Sequence, residues 1–582
     1  MSANVPPNLP LFTAPYAADD VELARQLFAD VGRLTPEREA RIDAEASDLI
    51  AAIRSDGPGL GGIEDVLREY ALSTKEGLAL MTLAEALLRV PDAATADRFI
   101  EDRLGSGDFA HHIARSDAFL VTASSWALGV TARLIQPRET PETTLAQLAK
   151  RLGAPAVRAA ARQAMRVMGN HFVLGQTIES AIDRAQSGSG RSYRYSFDML
   201  GEGARTAEDA RRYFQSYSEA IETIGRRASE KALPERPGVS VKLSALHPRY
   251  EALSHARVMS ELVPLTIELA RQAKRLDLVF TVDAEEADRL ELSLDVFAAV
   301  LADPSLAGWS GFGLAVQAYQ KRAGAVIDYV ADLAQRFDRR LMVRLVKGAY
   351  WDTEVKRAQE RGLDDFPVFT RKAMTDLNYL ACAQKLLSLR PRLYPQFATH
   401  NALTVATILE RAGDTGGFEF QRLHGMGEAL YARLLERHPA VACRTYAPVG
   451  GHRDLLAYLV RRLLENGANS SFVSRAADPA VPVEALLKRP ADSIGDPAHA
   501  RHPELALPRD LYRPDRVNSR GVEFGDRAEL TALLAEIDRG PAVLLPNGSV
   551  ETAKAGFAGW DRTPADERGR IFERAADRKS VV

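Results

Sequence analysis

Leu341-Met342-Val343-Arg344-Leu345-Val346 is a short apolar run carrying one arginine, and Lys347-Gly348-Ala349-Tyr350 closes it. A run of this length, bounded by turn residues and set between helical patterns, reads as a buried strand. The pattern recurs at Tyr193–Met199, Val239–Ala245, Leu278–Asp283, Gly311–Gln317, Tyr394–His400, Phe418–His424 and Cys443–Val449, mostly with enough intervening chain for a crossover helix. Eight such runs predict an α/β protein with a (β/α)8, TIM-type barrel, since an open doubly wound sheet usually has about five or six strands. The active site of such a barrel lies at the C-terminal ends of its strands, so a polar residue closing an apolar run is a candidate ligand. Each run supplies one: Asp198, Lys242, Asp283, Gln317, Arg344 with Lys347, His400, His424 and Tyr446. Any one of them alone fits a hydrogen-bonded rim residue equally well; eight together favour a site.

Outside the barrel, residues 1–50 form a proline-led arm in which nine acids from Asp19 to Asp48 face Arg25, Arg33, Arg38 and Arg41. Residues 51–172 repeat apolar positions at helical spacing, as at Leu80, Leu83, Ala84, Leu87 and Leu88, behind a Ser73–Glu76 capping box, and predict an all-helical domain. Ser187-Gly188-Ser189-Gly190 marks a break, and the barrel is expected over 173–480. Pro490, Pro497, Pro503, Pro508 and Pro514 make 481–516 a linker expected to resist regular structure, and 517–582 reads as a short further unit of helix and strand.

Seventy-five Lys and Arg nearly cancel 78 Asp and Glu, and a net charge of −3 offers no bulk field for nucleic acid or anionic lipid. Cys382 and Cys443, the two cysteines of the chain, exclude a disulfide scaffold and a CxxC metal knuckle and fit a reducing, cytoplasmic setting. Met1–Tyr16 shows no cationic start followed by an apolar core and no run of 18 apolar residues occurs, so neither secretion nor a membrane span is expected. Among the strand-closing residues cations outnumber acids, and no His/Asp/Glu set has the spacing of HExxH, so the pattern implies an anionic ligand and no metal. Arg461 and Arg462 stand together in the apolar stretch Leu456–Asn466, read as a helix ended by Gly467. Two neighbouring guanidiniums there suit a carboxylate; the competing reading pairs Arg461 with Glu465 at i,i+4 on a solvated face. Gly57–Gly62 satisfies G-x-G-x-x-G without a preceding strand and reads as an interhelical loop, and His111-His112 reads as a surface pair.

Val241–Tyr250 (VKLSALHPRY), Asp283–Arg289 (DAEEADR), Arg344–Trp351 (RLVKGAYW), Phe397–Asn401 (FATHN), Leu423–Gly427 (LHGMG), Tyr446–Gly450 (YAPVG) and Arg461–Gly467 (RRLLENG) carry a specific resemblance. From the helical region to about residue 480 the chain resembles the proline dehydrogenase half of bifunctional proline utilization A. The resemblance implies a distorted barrel holding non-covalent FAD, oxidation of L-proline to Δ1-pyrroline-5-carboxylate, and electrons delivered to a membrane quinone by peripheral docking at the inner face of the plasma membrane. It implies that Arg461, Arg462 and Lys242 hold the proline carboxylate, that Tyr446 packs over the substrate and that Asp283 orients the cations. Leu345, Ala349, Tyr350 and Leu423 would form apolar walls. Flavin contacts carried over are Asp283, Gln317, Arg344, Val346, Lys347, Gly348, Trp351, Thr370, Thr399, His400 and Glu465, with Arg344 and His400 on the pyrophosphate and Gln317 near the isoalloxazine edge.

Two departures from the family pattern shape further expectations. An acidic arm stands where longer relatives carry a ribbon-helix-helix DNA-binding domain, so no DNA partner is expected. Gly521–Gly525 and Trp560–Arg568 resemble the opening of a glutamate-semialdehyde dehydrogenase domain whose catalytic cysteine is not Cys382 or Cys443, so a truncated chain without that second activity is expected. The arm is a candidate homodimer contact. Competing readings are a non-catalytic remnant, a nucleic-acid-binding regulator, and a folate-reducing flavin barrel, which would not need Arg461-Arg462.

Overall fold

The computed structural model describes residues 9–55, 173–451, 472–540 and 550–579. Most of the expected helical domain, the two decoy motifs and Arg461, Arg462 and Glu465 lie outside those residues. Contacts divide the chain into two units, Met1–Arg527 and Ala528–Val582.

In the first unit, helices α1 (Asp20–Val31), α2 (Pro36–Ser55) and α3 (Ile178–Ala185) precede the first strand. There follow β1 (Arg194–Met199), α4 (Ala207–Arg227), β2 (Gly238–Val241), α5 (Leu243–Leu246), α6 (His255–Arg275), β3 (Val279–Val282), α7 (Leu290–Leu301), β4 (Phe312–Gln317) and α8 (Ala323–Arg336). The barrel then runs through β5 (Leu341–Val346), α9 (Trp351–Arg361), α10 (Lys372–Ser388), β6 (Leu393–Ala398), α11 (Ala402–Ala412), β7 (Glu419–Leu423), α12 (Glu428–Arg437) and β8 (Cys443–Val449). All eight expected strands form and pair in chain order into a closed parallel barrel, β8 returning to β1. The second strand stops four residues earlier than expected. The Ser244 N–H goes to Glu285 Oε1 at 3.0 Å, and the Ala245 N–H turns back to the Lys242 carbonyl, so Lys242 opens α5.

Period-two alternation sorts the strand residues. Val239, Val241, Phe280, Val282, Phe312, Leu314, Val343 and Leu345 join the main apolar core with the surrounding helices. The alternate positions point inward and are largely polar. On the floor Val279, Met342 and Tyr394 pack together, and Gly313 leaves them space: a Cβ there would lie 2.1 Å from the Met342 carbonyl oxygen. Above them sits Glu419, fully buried, accepting from Arg444 Nε at 2.6 Å, Arg194 Nη1 at 3.0 Å, Gln396 Nε2 at 2.7 Å and Gln421 Nε2 at 3.1 Å. Burial alone would raise the Glu419 carboxyl; Arg444 and Arg194 outweigh it and hold it below its ordinary range.

The acidic arm is bound to its own barrel. Asp48 pairs with Arg433 at 2.8 Å, Glu45 with Arg437 at 2.9 Å, Asp43 with Arg489 at 2.8 Å and the buried Asp20 with Lys321 at 3.2 Å. Leu49 and Ile50 enter the main core, so the boundary expected at residue 50 falls inside α2. The 481–516 segment is not an irregular linker. Pro490, Pro497 and Pro508 each occupy the first turn of a short helix, where a missing N–H costs nothing. Ile494 and Ala500 pack with α1 and α10, and Arg501 bridges Asp20 at 3.1 Å and Asp365 at 2.6 Å. Residues 517–527 also belong to this unit: Glu523 is buried and pairs with Arg361, and Arg527 pairs with Asp295 at 2.6 Å. The second unit contains helices Val550–Arg562 and Ala565–Lys579, with Trp560 and Phe572 edge to face at 5.7 Å; the strand expected there is not among its described residues.

Replacing Glu419 by Ala strands Arg444 in the barrel floor and should lower unfolding stability by about 3–5 kcal/mol in urea titrations. Replacing Arg25, whose pair with Glu22 is exposed, should change it by less than about 0.5 kcal/mol.

Candidate active site

Three strand ends converge on one carboxylate. Asp283, directly after β3, accepts from Arg344 Nη1 at 2.7 Å through Oδ1, and through Oδ2 from the Tyr446 hydroxyl at 2.7 Å and Lys242 Nζ at 3.3 Å. Lys242 also donates to Asp198 Oδ1 at 2.8 Å and to the Tyr446 oxygen at 3.2 Å. An ammonium has three donors, and these partners engage all of them. Burial works against the charge on Lys242; Asp198 first, then Tyr446 and Asp283, reverse that and hold it protonated well above the ordinary range. Burial also pushes the Tyr446 phenol up, Asp198 and Asp283 adding to it, so the hydroxyl remains a donor.

Arg344 completes the layer. Its Nε donates to Gln421 Oε1 at 2.8 Å, its Nη2 donates to Ser196 at 3.1 Å and Ser240 at 2.9 Å, and its guanidinium carbon lies 5.0 Å from the Tyr446 ring centre. With every guanidinium nitrogen engaged inside the barrel, Arg344 belongs to the acid cluster. Gln421 bonds both Arg344 and Glu419, which links this cluster to the floor below.

The remaining rim residues occupy the β4–β7 side. Gln317 accepts from Gln320 Nε2 at 2.8 Å, and the buried Gln320 Oε1 has no hydrogen-bond partner among the described residues. Gly348 has φ +127°, and a Cβ there would sit 2.5 Å from the Tyr319 ring, so only glycine fits this turn. Lys347 and Lys372 clamp Asp376, whose carboxyl they pull down against its burial. Trp351 Nε1 donates to the Phe369 carbonyl at 2.9 Å, and Thr370 Oγ1 accepts from the His502 amide at 2.9 Å. His400 Nε2 accepts the Leu423 N–H at 3.1 Å, which places the ring proton on Nδ1. Thr399 is held through its carbonyl by the Tyr431 hydroxyl at 2.7 Å. Val346, Ala349, Tyr350 and Leu423 are half-buried at the same rim.

Lys242, Asp283, Arg344 and Tyr446 are thus brought into one cluster, which also takes in Asp198. Ser196, Ser240 and Gln421 were not singled out from sequence. Each lies two residues before an inward strand-end position, so period two was the signal that could have found them. Asp376 was detectable only as an i,i+4 partner of Lys372; its contact with Lys347 comes from the fold.

Residues 181–475 match the family model described as Proline dehydrogenase. The chain belongs to the proline dehydrogenase family. It is 46% identical over 530 residues to the bifunctional protein PutA of Salmonella typhimurium, covering 88% of this chain and 40% of that protein. It is 27% identical over 315 residues to proline dehydrogenase 1 of Bacillus subtilis, covering 53% of this chain and 90% of that protein. A crystal structure of a Bradyrhizobium japonicum proline utilization A mutant superposes with TM-score 0.74 at 68% identity, covering 96% of this chain and 57% of that one. This family member therefore spans less than two thirds of the bifunctional proteins it matches, and the expected truncation gains no support from those matches. A second family model, described as the DNA-binding domain of Proline dehydrogenase, matches residues 62–172. That overturns the expectation that such a domain is lacking: the expectation tested the charge of the N-terminal arm, whereas the match falls on the residues after it.

Asp283→Asn would leave Lys242 and Arg344 with one carboxylate fewer between them. Urea unfolding should show a loss of about 2–4 kcal/mol, against about 1 kcal/mol for Ser240→Ala.

Proposed function

We propose that this chain oxidises L-proline to Δ1-pyrroline-5-carboxylate at the C-terminal mouth of the barrel. The observation carrying the reading is the cluster of buried Lys242, Asp283 and Arg344 with half-buried Tyr446 at the mouth of a family-matched barrel. The two-electron acceptor in this reading is FAD. The donor set fits such a group: Gln317 with the Gln320 Oε1, unpartnered among the described residues, the glycine turn at Gly348, Lys347, Thr370, Thr399 and His400 bring amide, cationic, hydroxyl and imidazole groups along one rim. Trp351, Val346 and Glu465 complete the proposed contacts.

The chain's own residues then have distinct tasks. Lys242 and Arg344 are each matched by an acid, Asp198 and Asp283, so the described cluster carries no net charge with which to attract a carboxylate. Arg461 and Arg462 supply that charge in this reading, and Lys242 joins them by releasing Tyr446, its one neutral partner. Asp283 keeps Lys242 and Arg344 in place, and Tyr446 covers the substrate. Leu345, Ala349, Tyr350 and Leu423 exclude water, which strengthens the contacts to the anchored carboxylate. Anchoring a small rigid acid at one end fixes the position of its reacting carbon.

Electrons pass onward to a quinone at a membrane surface. Among the described residues no helix is long and apolar enough to cross a membrane, so docking there would be peripheral. No aldehyde-oxidising chemistry is assigned to these residues: Cys382 and Cys443 are buried in the barrel, and burial pushes the Cys382 thiol up to about 12 and the Cys443 thiol higher than usual.

The test is an anaerobic visible spectrum of the purified, FAD-loaded chain. Yellow flavin bands should bleach on addition of L-proline, and Arg461→Met or Arg462→Met should raise the proline needed for half-bleaching by about 10–100-fold, the loss of one charged hydrogen bond. Flavin bands that persist at saturating proline would defeat the reading.

A further inference from the structure

One buried carboxylate outside the Asp283 cluster ties the active-site rim together. Glu354 lies in the first turn of α9 and is only 3% exposed. Its Oε1 accepts the Ala287 N–H at 2.8 Å and the Tyr319 hydroxyl at 3.2 Å. Ala287 belongs to the loop that begins with Asp283 after β3. Tyr319 follows Gln317 after β4, and its ring fills the space that a side chain at Gly348 would take after β5. A single oxygen thus joins three consecutive loops, those bearing Asp283, Gln317 and Lys347–Tyr350.

Among the described residues Glu354 has no cation of its own. On α9, Arg357 pairs with Asp288 and Glu286, and Arg361 pairs with Asp288 and Glu523. From the β4–α8 turn, Arg322 is taken by Glu291 and the Ala287 carbonyl. Facing Glu354 are Asp288 and Glu286 on the β3 loop, Tyr319 on the β4 loop and Tyr16 from the N-terminal arm. Burial, followed by Asp288 and Glu286, pushes the carboxyl up to about 7, against the Ala287 N–H and the Tyr319 hydroxyl. Ionised, the carboxylate receives two charge-assisted hydrogen bonds; protonated, it offers weaker ones.

We propose that Glu354 is a positioning residue for the proline site: it clamps the β3, β4 and β5 loops into one rim, and its ionisation sets how tightly that rim closes on the substrate. The inference rests on the proline dehydrogenase reading above, and its tests separate the two.

The first test follows steady-state proline oxidation by the FAD-loaded chain, with a dye as electron acceptor, from pH 5.5 to 8.5. The wild-type KM for proline should fall about fivefold across a midpoint near 7, about one hydrogen bond's worth of positioning, with kcat changing less than twofold. Glu354→Gln, which keeps the shape and acceptor oxygen but cannot ionise, should hold the low-pH KM throughout. Tyr319→Phe keeps the ring against Gly348, removes one donor to the carboxylate and should move the midpoint upward. An unchanged midpoint in Glu354→Gln overturns the proposal, as does a pH-independent fall of kcat with loss of bound flavin. The second test needs no substrate. A carboxyl raised in the fold costs stability above its folded value, a cost that disappears as pH falls towards the unfolded value near 4.5. Glu354→Gln should therefore have a higher urea midpoint than wild type at pH 8 and lose that advantage by pH 5; no such trend overturns the ionisation. A wild-type chain whose flavin is never reduced by proline, while the urea trend holds, would defeat the enzymatic reading instead.

Discussion

A charge placed inside a closed parallel barrel must find its partners among the other inward side chains, because every strand is paired on both sides and the interior holds little water. This barrel has two such charged layers. The lower centres on Glu419 with Arg444 and Arg194, the upper on Asp283 with Arg344, Lys242 and Tyr446, and Gln421 joins them through hydrogen bonds to both. Barrel cores built from branched apolar side chains tolerate repacking of similar volume. A polar core of this kind does not: removing one partner leaves another buried charge unmatched. The interior therefore specifies the rotamers at the mouth, and the rigidity of the site begins at the floor.

The loops at the mouth are restrained a second time from outside. Glu354 joins the β3, β4 and β5 loops, Glu523 and Asp288 hold Arg361 at the end of α9, and Arg501 gathers Asp20 and Asp365. Segments before and after the barrel thus brace the face that carries the candidate site. Many of these pairs are part-exposed and individually weak, yet each fixes a loop that already ends in a buried residue, so little additional freedom is lost in forming them.

The strands were legible because a barrel strand carries its whole signal locally, as a short apolar run ended by turn residues. Lys242, Asp283, Arg344 and Tyr446 were legible for the same reason, since a polar residue at the end of an apolar run stands out. The partners Ser196, Ser240 and Gln421 were not, because small polar residues within a strand are unremarkable until the register shows them facing Arg344. Segments defined by complementarity were misread. The acids of the N-terminal arm read as unsuited to DNA and the arm as a candidate contact with a second copy, but Arg433, Arg437 and Arg489, hundreds of positions later, make them an interface within the chain. The prolines of 481–516 looked like breaks, although three of them start short helices: the first two bring Ile494 and Ala500 against α1 and α10, and the third packs by α9. Composition reports what a segment could do alone, and these segments fold against partners distant in sequence.

The charge balance of the upper layer bears on how a small anionic substrate is selected. Two cations and two acids cancel there, and Lys242 spends its three donors on Asp198, Asp283 and Tyr446. Such a cluster does not itself attract an anion; it orients what arrives by offering one exchangeable donor. In the proposed reading, selectivity for a carboxylate calls for further positive charge, and the sequence offers the adjacent Arg461 and Arg462 for that purpose. In this reading the roles divide: the paired arginines supply attraction, the neutralised barrel layer supplies position, and the rim held by Glu354 controls how closely the two are brought together. A barrel layer with surplus positive charge would bind anions more tightly but would lose the matched contacts that keep Arg344 and Lys242 in single orientations, and orientation is what a reaction between a small ring and a fixed acceptor requires.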